Sequence, residues 1–368
     1  MPTFVHTADI HLDSPFSARL SSKKAELRRS EQMETFRQIS EKAAGSNLFL
    51  ISGDLFDSSF ASADTLSFLK RCFKSMPQTE VIITAGNHDP LNEKSPYKKV
   101  DWSDNVHILS TELEFIDFPQ WKTRIHGISF KDQYENHPLL TPLDIKEDWC
   151  NILVVHGEVV ADGGTSSYNP IEKSYLENCG VDYVALGHIH KQTPIQRLGG
   201  VFYAYPGIPE GRGFDEDGDK GFICGEIEKG SVNAAWQASC IRKFIHSEID
   251  ISSCNDSMEV LEKLRSQLNN MGTENLYKLS LTGKCRRGLV NISLFEEHLK
   301  SIVFFAEIKD NTRPDYSIDE IIADGGVRAD FVIEMQKRID AMDESEKEIG
   351  LKALEIGLAA LEGSQAEI

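Results

Sequence analysis

Several things are missing from this sequence of 368 residues. No apolar run approaches the roughly 20 residues that cross a bilayer. Residues 1–9 have neither the basic start nor the apolar core of a signal peptide, so export is not expected and a cytoplasmic location is. The seven cysteines (72, 150, 179, 224, 240, 254 and 285) are odd in number and scattered, with no Cys-x-x-Cys pair. Neither a disulfide framework nor a thiolate zinc site is indicated, and buried reduced thiols are the expectation. Basic residues are also scarce: 39 Lys and Arg against 58 Asp and Glu leave a formal charge of −19. A nucleic-acid binder normally draws most of its affinity from a basic face, so the charge argues against tight DNA binding by this chain alone. Two considerations soften this. A carboxylate-rich metal site inflates the formal count and bound divalent ions reverse its local sign, and a partner subunit could supply the basic surface. There is no internal repeat and no low-complexity tract. What is present, 40 % hydrophobic and 26 % charged residues, is ordinary for a soluble globular protein, and the length allows one large domain and a smaller one.

Apolar runs alternate with amphipathic helical stretches. Residues 4–7, 48–51 and 81–84 read as short buried strands, each closed by a polar or glycine-bearing turn. Residues 23–44 and 63–73 read as helices between them, the first with Leu27, Phe36 and Ile39 as core candidates. Strand–helix alternation predicts βαβ units and a largely parallel sheet. Further strands are expected at 151–155, 183–186, 201–204 and 221–225, the last of these closer together, as in a second sheet facing the first. After about residue 240 the order changes to strand (243–251), helix (258–268), strand (276–281), helix (294–300) and strand (302–308), a small α+β unit. Residues 311–315 look like a linker, and 318–361 read as two or three helices. The expected fold class is therefore α/β: a two-sheet sandwich flanked by helices, with a small α+β domain and a C-terminal helical segment, divided as 1–240, 241–312 and 313–368.

Five short clusters fall at strand ends. They are Asp9 and His11 in Ala-Asp-Ile-His, and Asp54 and Asp57 in Gly-Asp-Leu-Phe-Asp. Asn87, His88 and Asp89 follow Gly86, His156 precedes Gly157, and His188 and His190 sit in Gly-His-Ile-His. Ligands at the carboxyl ends of strands converge on one rim of a sheet, and glycine lets the chain turn sharply enough to aim them there. Mixed carboxylate, imidazole and amide donors suit Mn²⁺, Fe²⁺ or Zn²⁺ better than an all-oxygen Mg²⁺ or Ca²⁺ site. Two such ions bridged by a carboxylate can activate water for in-line displacement at phosphorus, and a histidine outside the metal shell can protonate the leaving oxygen. An isolated Asp-x-His or His-x-His says little. Five of the eleven histidines falling in these clusters is a far more specific pattern. Histidines 6, 107, 126, 137, 246 and 298 belong to no cluster and read as core or surface residues.

Together these motifs resemble those of the calcineurin-like metallophosphoesterases over roughly residues 1–225. The resemblance implies that Asp9, His11 and His190 hold one metal with Asp54 bridging, and that Asn87, His156 and His188 complete the other. His88 would be the general acid, with Asp89 orienting its imidazole. Residues 8–16, 53–57 and 205–216 look like bacterial DNA-repair exonucleases of the SbcD and YhaO kind. That implies Mn²⁺-dependent cleavage of single- or double-stranded DNA, homodimerisation, a capping domain at 241–312, and C-terminal helices docking on an SMC-like ATPase of the SbcC kind. Fe²⁺, Zn²⁺ and Mg²⁺ are alternative metals. Archaeal members carry a second catalytic histidine where this chain has Asp57, which would then order the metal shell or cap a turn. Tyr203, Tyr205 and Arg212 are candidates for lining a DNA path or for packing. Phe60, Leu66, Leu69, Phe73 and Met76 are candidates for a dimer face or for the core. The apolar stripe flanked by Glu346, Glu348, Glu355 and Glu362 is expected either to dock on a partner or to fold back. Two rival functions stay open: a phosphoesterase for a small nucleotide or phosphoprotein, and a structural subunit organising an ATPase. Ser58-Ser59 after Asp57, where Ser/Thr phosphatases carry Arg-Gly, makes the protein-phosphatase version a poor match.

Overall fold

The computed structural model describes residues 1–16, 20–286 and 288–361. The chain divides after Ile245 into two compact units.

In the first unit, β1 (Thr3–Thr7), β2 (Leu48–Ser52), β3 (Glu80–Thr84) and β4 (Val106–Ile108) pair in parallel. The helices α1 (Ser22–Ala43) and α2 (Ala63–Lys74) make the first two crossovers. A second sheet contains β5 (Glu114–Phe118), β6 (Thr123–Ile128) and β7 (Cys150–His156). A small parallel pair, β8 (Glu158–Val160) and β9 (Pro170–Glu172), and the helix α3 (Lys173–Asn178) precede the remaining strands of that sheet, β10 (Tyr183–Gly187), β11 (Gln196–Leu198) and β12 (Val201–Ala204). The two sheets pack face to face. Strand residues alternate between faces, so Phe4, Leu48, Leu50 and Ile82 meet Ile125, Ile152, Val154 and Tyr183 in the central core. Their neighbours Val5, Phe49, Ile51, Val81 and Ile83 point outward under Phe36, Ile39, Leu69 and Phe73. Leu153, Val155, Val184 and Leu186 lie on the far face, packed with Leu176 of α3. With both faces covered, the central strands are continuous apolar runs, which is why they stood out in the sequence.

Two expectations need correction. Residues 221–225 do not belong to the second sheet. As β13 (Gly221–Glu228) they return to the first, antiparallel to β1, with β14 (Ser231–Ala238) outside them. Strand spacing reported nearness in sequence, whereas the connection over 205–220 carries the chain back across the core. Leu27 is 43 % exposed, and α1 instead buries Arg28, Gln32, Thr35, Phe36 and Ile39. In the 60–76 region, Leu69, Phe73 and Met76 are spent on the core, and Phe60, ahead of α2, is the exposed member at 68 %. Strands β4 to β6 were not foreseen. β6 is wholly buried yet contains Arg124 and His126, and Arg124 is tolerated because Asp117 and Asp144 pair with it.

His6 lies on the inner face of β1, off the metal cluster, as expected. Its Nε2 lies 3.2 Å from the Leu186 carbonyl and its Nδ1 2.9 Å from the Tyr183 hydroxyl, so it ties the two sheets together. Burial pushes its pKa down to about 3. Below about 6.5 the unfolded chain takes up a proton that the folded chain refuses, so this residue removes stability as pH falls from 6.5 towards 3, by about 1.4 kcal/mol per pH unit. A His6→Gln variant is expected to show a shallower loss of stability between pH 6.5 and 4 in urea titrations. A slope equal to that of the parent would sink this assignment.

The second unit contains β15 (Phe244–Asp250), which crosses the division, α4 (Ser257–Met271), β16 (Leu276–Thr282), β17 (Lys284–Cys285), α5 (Ile292–Leu299), β18 (Phe305–Asp310) and β19 (Arg313–Pro314). Asp256 caps α4 by accepting from the Met258 and Glu259 amides. Val260, Leu261, Leu264 and Leu268 form the buried stripe of α4. Residues 313–314 of the expected linker pair with β17. The C-terminal segment is three helices, α6 (Ile318–Asp324), α7 (Gly326–Asp340) and α8 (Lys347–Leu361), packed around Ile321, Val332, Ile339, Leu354 and Leu358. Leu354 and Leu358 of the α8 stripe are thus buried within the chain, while Ile349, Leu351 and Leu361 are 71 %, 53 % and 46 % exposed. Glu362 lies outside the described residues. Among the described residues no helix is long and apolar enough to cross a membrane.

Candidate metal centre

All five sequence clusters meet at one end of the sandwich. The loops after β1 and β2 run side by side, with the Asp9 amide donating to the Gly53 carbonyl (3.1 Å) and the His11 amide to the Asp54 carbonyl (2.9 Å). Asp9, His11 and Asp54 adopt left-handed backbone at φ 53°, 52° and 51°, and His188 lies at 107°. Non-glycine residues resist this conformation, and its concentration at one locus marks a functional site. The glycines are there for clearance. A Cβ on Gly86 would sit 2.3 Å from Asp54 Oδ1, and one on Gly187 would sit 1.8 Å from the Ser52 carbonyl.

The donors converge in three overlapping groups. One ligand atom each from Asp9, His11 and His190 lies within 4.8 Å of the others, and the same holds for Asp9, Asp54 and His156 and for His11, Asp57 and His88. Asn87 Oδ1 approaches His156 Nε2 at 2.9 Å and His188 Nδ1 at 3.2 Å. All seven predicted ligands therefore share one locus, and it is wholly or partly buried. Their electrostatics fit a cation. His156 Nδ1 donates to the Ser52 carbonyl (2.9 Å), so its Nε2 carries a lone pair facing the Asn87 oxygen. His11 Nε2 and His190 Nε2 stand 3.2 Å apart. Burial holds His11, His156 and His188 below their usual pKa, His188 at about 3, aided for His11 by the Arg212 charge. They are thus the neutral imidazoles that metals require. Burial, with the charges of Asp89 and Asp9, raises Asp54 well above the usual carboxylate range. Acceptors crowded together out of water are costly alone and are stabilised by a divalent ion.

The sequence model of the calcineurin-like phosphoesterase family matches residues 2–192. The chain belongs to this family. Its members use divalent metal ions, in keeping with the Asp and His groups gathered here. Among curated proteins, this phosphoesterase is 27 % identical over 296 residues to YhaO of Bacillus subtilis, described as an uncharacterized metallophosphoesterase, covering 76 % of this chain and 72 % of that one. It is 26 % identical over 263 residues to the SbcD component of the nuclease SbcCD of Staphylococcus epidermidis, covering 62 % and 67 %. It is 23 % identical over 253 residues to the DNA double-strand break repair protein Mre11 of Methanopyrus kandleri, covering 62 % and 54 %. A solved structure, that of TT1561 from Thermus thermophilus, aligns with 64 % of this chain and 98 % of that one at 10 % identity and a TM-score of 0.39.

The surroundings of the phosphoesterase site differ from expectation in instructive ways. Asp89 does not orient His88. Its oxygens accept from the Gly86 amide (2.7 Å), the Phe56 amide (3.0 Å) and the Tyr97 hydroxyl (2.6 Å), so it braces the turn that carries Asn87 and His88. His88 Nδ1 instead donates to the Asp57 carbonyl at 3.0 Å, and the His88 amide donates to Asp54 (2.8 Å). The Asp57 carboxylate faces His11 (3.5 Å) and accepts from Ser14 and Arg212, both at 2.9 Å. Tyr203 and Tyr205 are buried packing residues, with the Tyr205 hydroxyl donating to the Gly157 carbonyl and that of Tyr203 to Gln196.

Sequence reasoning assigned no role to Glu216. Its carboxylate accepts from His190 Nδ1 at 2.7 Å and from Arg212 at 3.2 Å. Burial alone would raise its pKa, but the His190 hydrogen bond and the Arg212 charge win and bring it to about 2. The same bond outweighs burial at His190, whose pKa rises. The loop bearing Arg212 and Glu216 is anchored by fully buried Arg28, which donates to Glu31, Glu210 (both 2.6 Å) and the Gly211 carbonyl (2.9 Å). A carboxylate behind a metal-facing histidine fixes its tautomer, and such partners typically contribute 10- to 100-fold to metal affinity. Glu216→Gln is therefore expected to weaken Mn²⁺ binding about 10- to 100-fold by calorimetry, and an unchanged affinity would remove Glu216 from the site.

Proposed function

We propose that this phosphoesterase is a metal-dependent nuclease that hydrolyses DNA phosphodiester bonds with two divalent ions, Mn²⁺ foremost. The observation that carries the reading is the convergence of Asp9, His11, Asp54, Asn87, His156, His188 and His190 on one locus with His88 at its half-buried edge. In the proposed assignment, Asp9, His11 and His190 hold one ion, Asn87, His156 and His188 the other, and Asp54 both. Divalent ions in such a site supply an acidified water and charge stabilisation at phosphorus. The chain's own part is to orient and to move protons. His88, with Nδ1 committed to the Asp57 carbonyl, keeps Nε2 for protonating the leaving oxygen. Glu216 holds His190 in register, and Asp89 and Tyr97 hold the His88 turn.

The choice of DNA draws support from the names of the Staphylococcus and Methanopyrus relatives, a nuclease and a double-strand break repair protein. An SMC-like ATPase partner of the SbcC kind, homodimerisation, a capping role for the α+β domain and docking through α6–α8 complete the reading, and they rest on the resemblance. The charge of −19 favours a second reading, a small nucleotide diester as substrate. End-labelled single- and double-stranded DNA incubated with the protein and Mn²⁺, with and without EDTA, tests the first. Metal-dependent cleavage is expected. Intact DNA alongside rapid hydrolysis of a nucleotide diester would transfer the assignment to the second reading.

A further inference from the structure

An aromatic column leads away from the metal-side histidine His188. The Tyr168 ring lies 4.6 Å from the His188 ring, centre to centre, tilted by 38°, and the Tyr134 ring lies 5.8 Å from Tyr168, tilted by 35°. Tyr134, the outermost, is 54 % exposed and so open to a ligand. The column is built rather than incidental. The Glu135 amide donates to the Ser167 carbonyl at 3.0 Å and the Asn169 amide to the Glu135 carbonyl at 2.7 Å, so the two tyrosine loops are joined by main chain. Buried Asn169 then donates through its side chain to the His156 carbonyl at 2.8 Å, fastening both loops to the end of β7.

We infer that Tyr134 and Tyr168 form a stacking platform for a nucleobase of the substrate, next to the phosphoryl site. This deepens the reading above and rests on it. The chemistry matches what this chain has and what it lacks. Stacking on an aromatic face contributes about 1–3 kcal/mol per base and is indifferent to base identity. It also needs no basic surface, which a chain of net charge −19 does not provide in bulk. The shared ligand chemistry is a nucleobase attached to a phosphodiester, whether in a DNA strand or in a small nucleotide.

The test compares thymidine 5′-(p-nitrophenyl phosphate) with methyl p-nitrophenyl phosphate in the Mn²⁺-loaded full chain. The ratio of kcat/KM values for the two is expected to fall about tenfold in Tyr134→Ala and to be kept within about twofold in Tyr134→Phe. An unchanged ratio in Tyr134→Ala would overturn the platform. If neither diester is hydrolysed, the functional reading above fails, and binding decides the platform separately. Fluorescence anisotropy should then show labelled oligothymidylate bound in preference to an abasic strand of equal length, with that preference lost in Tyr134→Ala. Equal binding of the two strands overturns the inference. Competition by thymidine mononucleotide points to a small nucleotide as the source of the base, and competition by oligomers alone points to a strand.

Discussion

Replacing His88 by alanine is expected to lower kcat for phosphodiester hydrolysis by about 10²- to 10⁴-fold while leaving the bound metal in place. His88 stands apart in role from the seven proposed ligands around it. Its main-chain amide helps orient Asp54 and survives the substitution. Its ring is anchored at Nδ1 by a carbonyl, which leaves Nε2 free to carry a proton. In the proposed assignment, removing the ring removes a proton donor and leaves the seven metal donors in place. The loss should be smallest for diesters with an acidic leaving group such as p-nitrophenol, which departs without help, and largest for an alkoxide such as a deoxyribose oxygen. Metal analysis by mass spectrometry gives the control. A variant that loses its metal, or one that matches the parent on DNA, contradicts the assigned role.

Asp54→Asn should have opposite effects on activity and on the stability of the metal-free protein. Asp54 is the proposed bridge between two ions that would supply several kcal/mol of charge stabilisation at phosphorus, so weakening the bridge should lower activity on the order of 10³-fold or more. Without metal the same carboxylate is a liability. It is almost completely buried, and burial together with Asp89 and Asp9 raises its pKa well above 3.8. The folded chain then binds a proton that the unfolded chain has already released. Stability therefore declines as pH rises from about 4 through the raised folded value. In EDTA the variant is expected to melt above the parent at pH 8, with the gap closing near pH 4. In Mn²⁺ the order should reverse, because the ion binds the parent carboxylate more strongly than a neutral amide. Differential scanning calorimetry at the two pH values checks this, and a variant no more stable than the parent at pH 8 in EDTA would show that Asp54 is not under strain.

These expectations depend on two kinds of information. Strands β1, β2, β3, β7 and β10 were legible because burial on both faces turns them into uninterrupted apolar runs. The ligand clusters were legible because each is a local turn at a strand end, and four of the five adjoin a glycine (Gly53, Gly86, Gly157 and Gly187). Strand β6 escaped because Arg124 and His126 interrupt its apolar character, and their compensation by Asp117, Asp144 and Asn151 comes from residues outside the strand. Leu27 misled because helical spacing identifies a stripe but not which side of it meets the sheet.

By itself the sequence determined the α/β class, the order of the main elements and which donors are available to a metal, since these follow from periodicity and from contacts within a few residues. Only the tertiary structure decided how those donors are supported. Glu216 reaches back 26 residues to His190, and Arg212 reaches 155 residues to Asp57. Asp89 serves the turn and not the His88 ring, β13 returns to the first sheet, and Tyr134 and Tyr168 line up behind His188. Each of these depends on where a loop lands once the two sheets have closed on each other. That outcome is set by packing and by satisfying buried polar groups across the whole unit, which no local pattern of residues encodes.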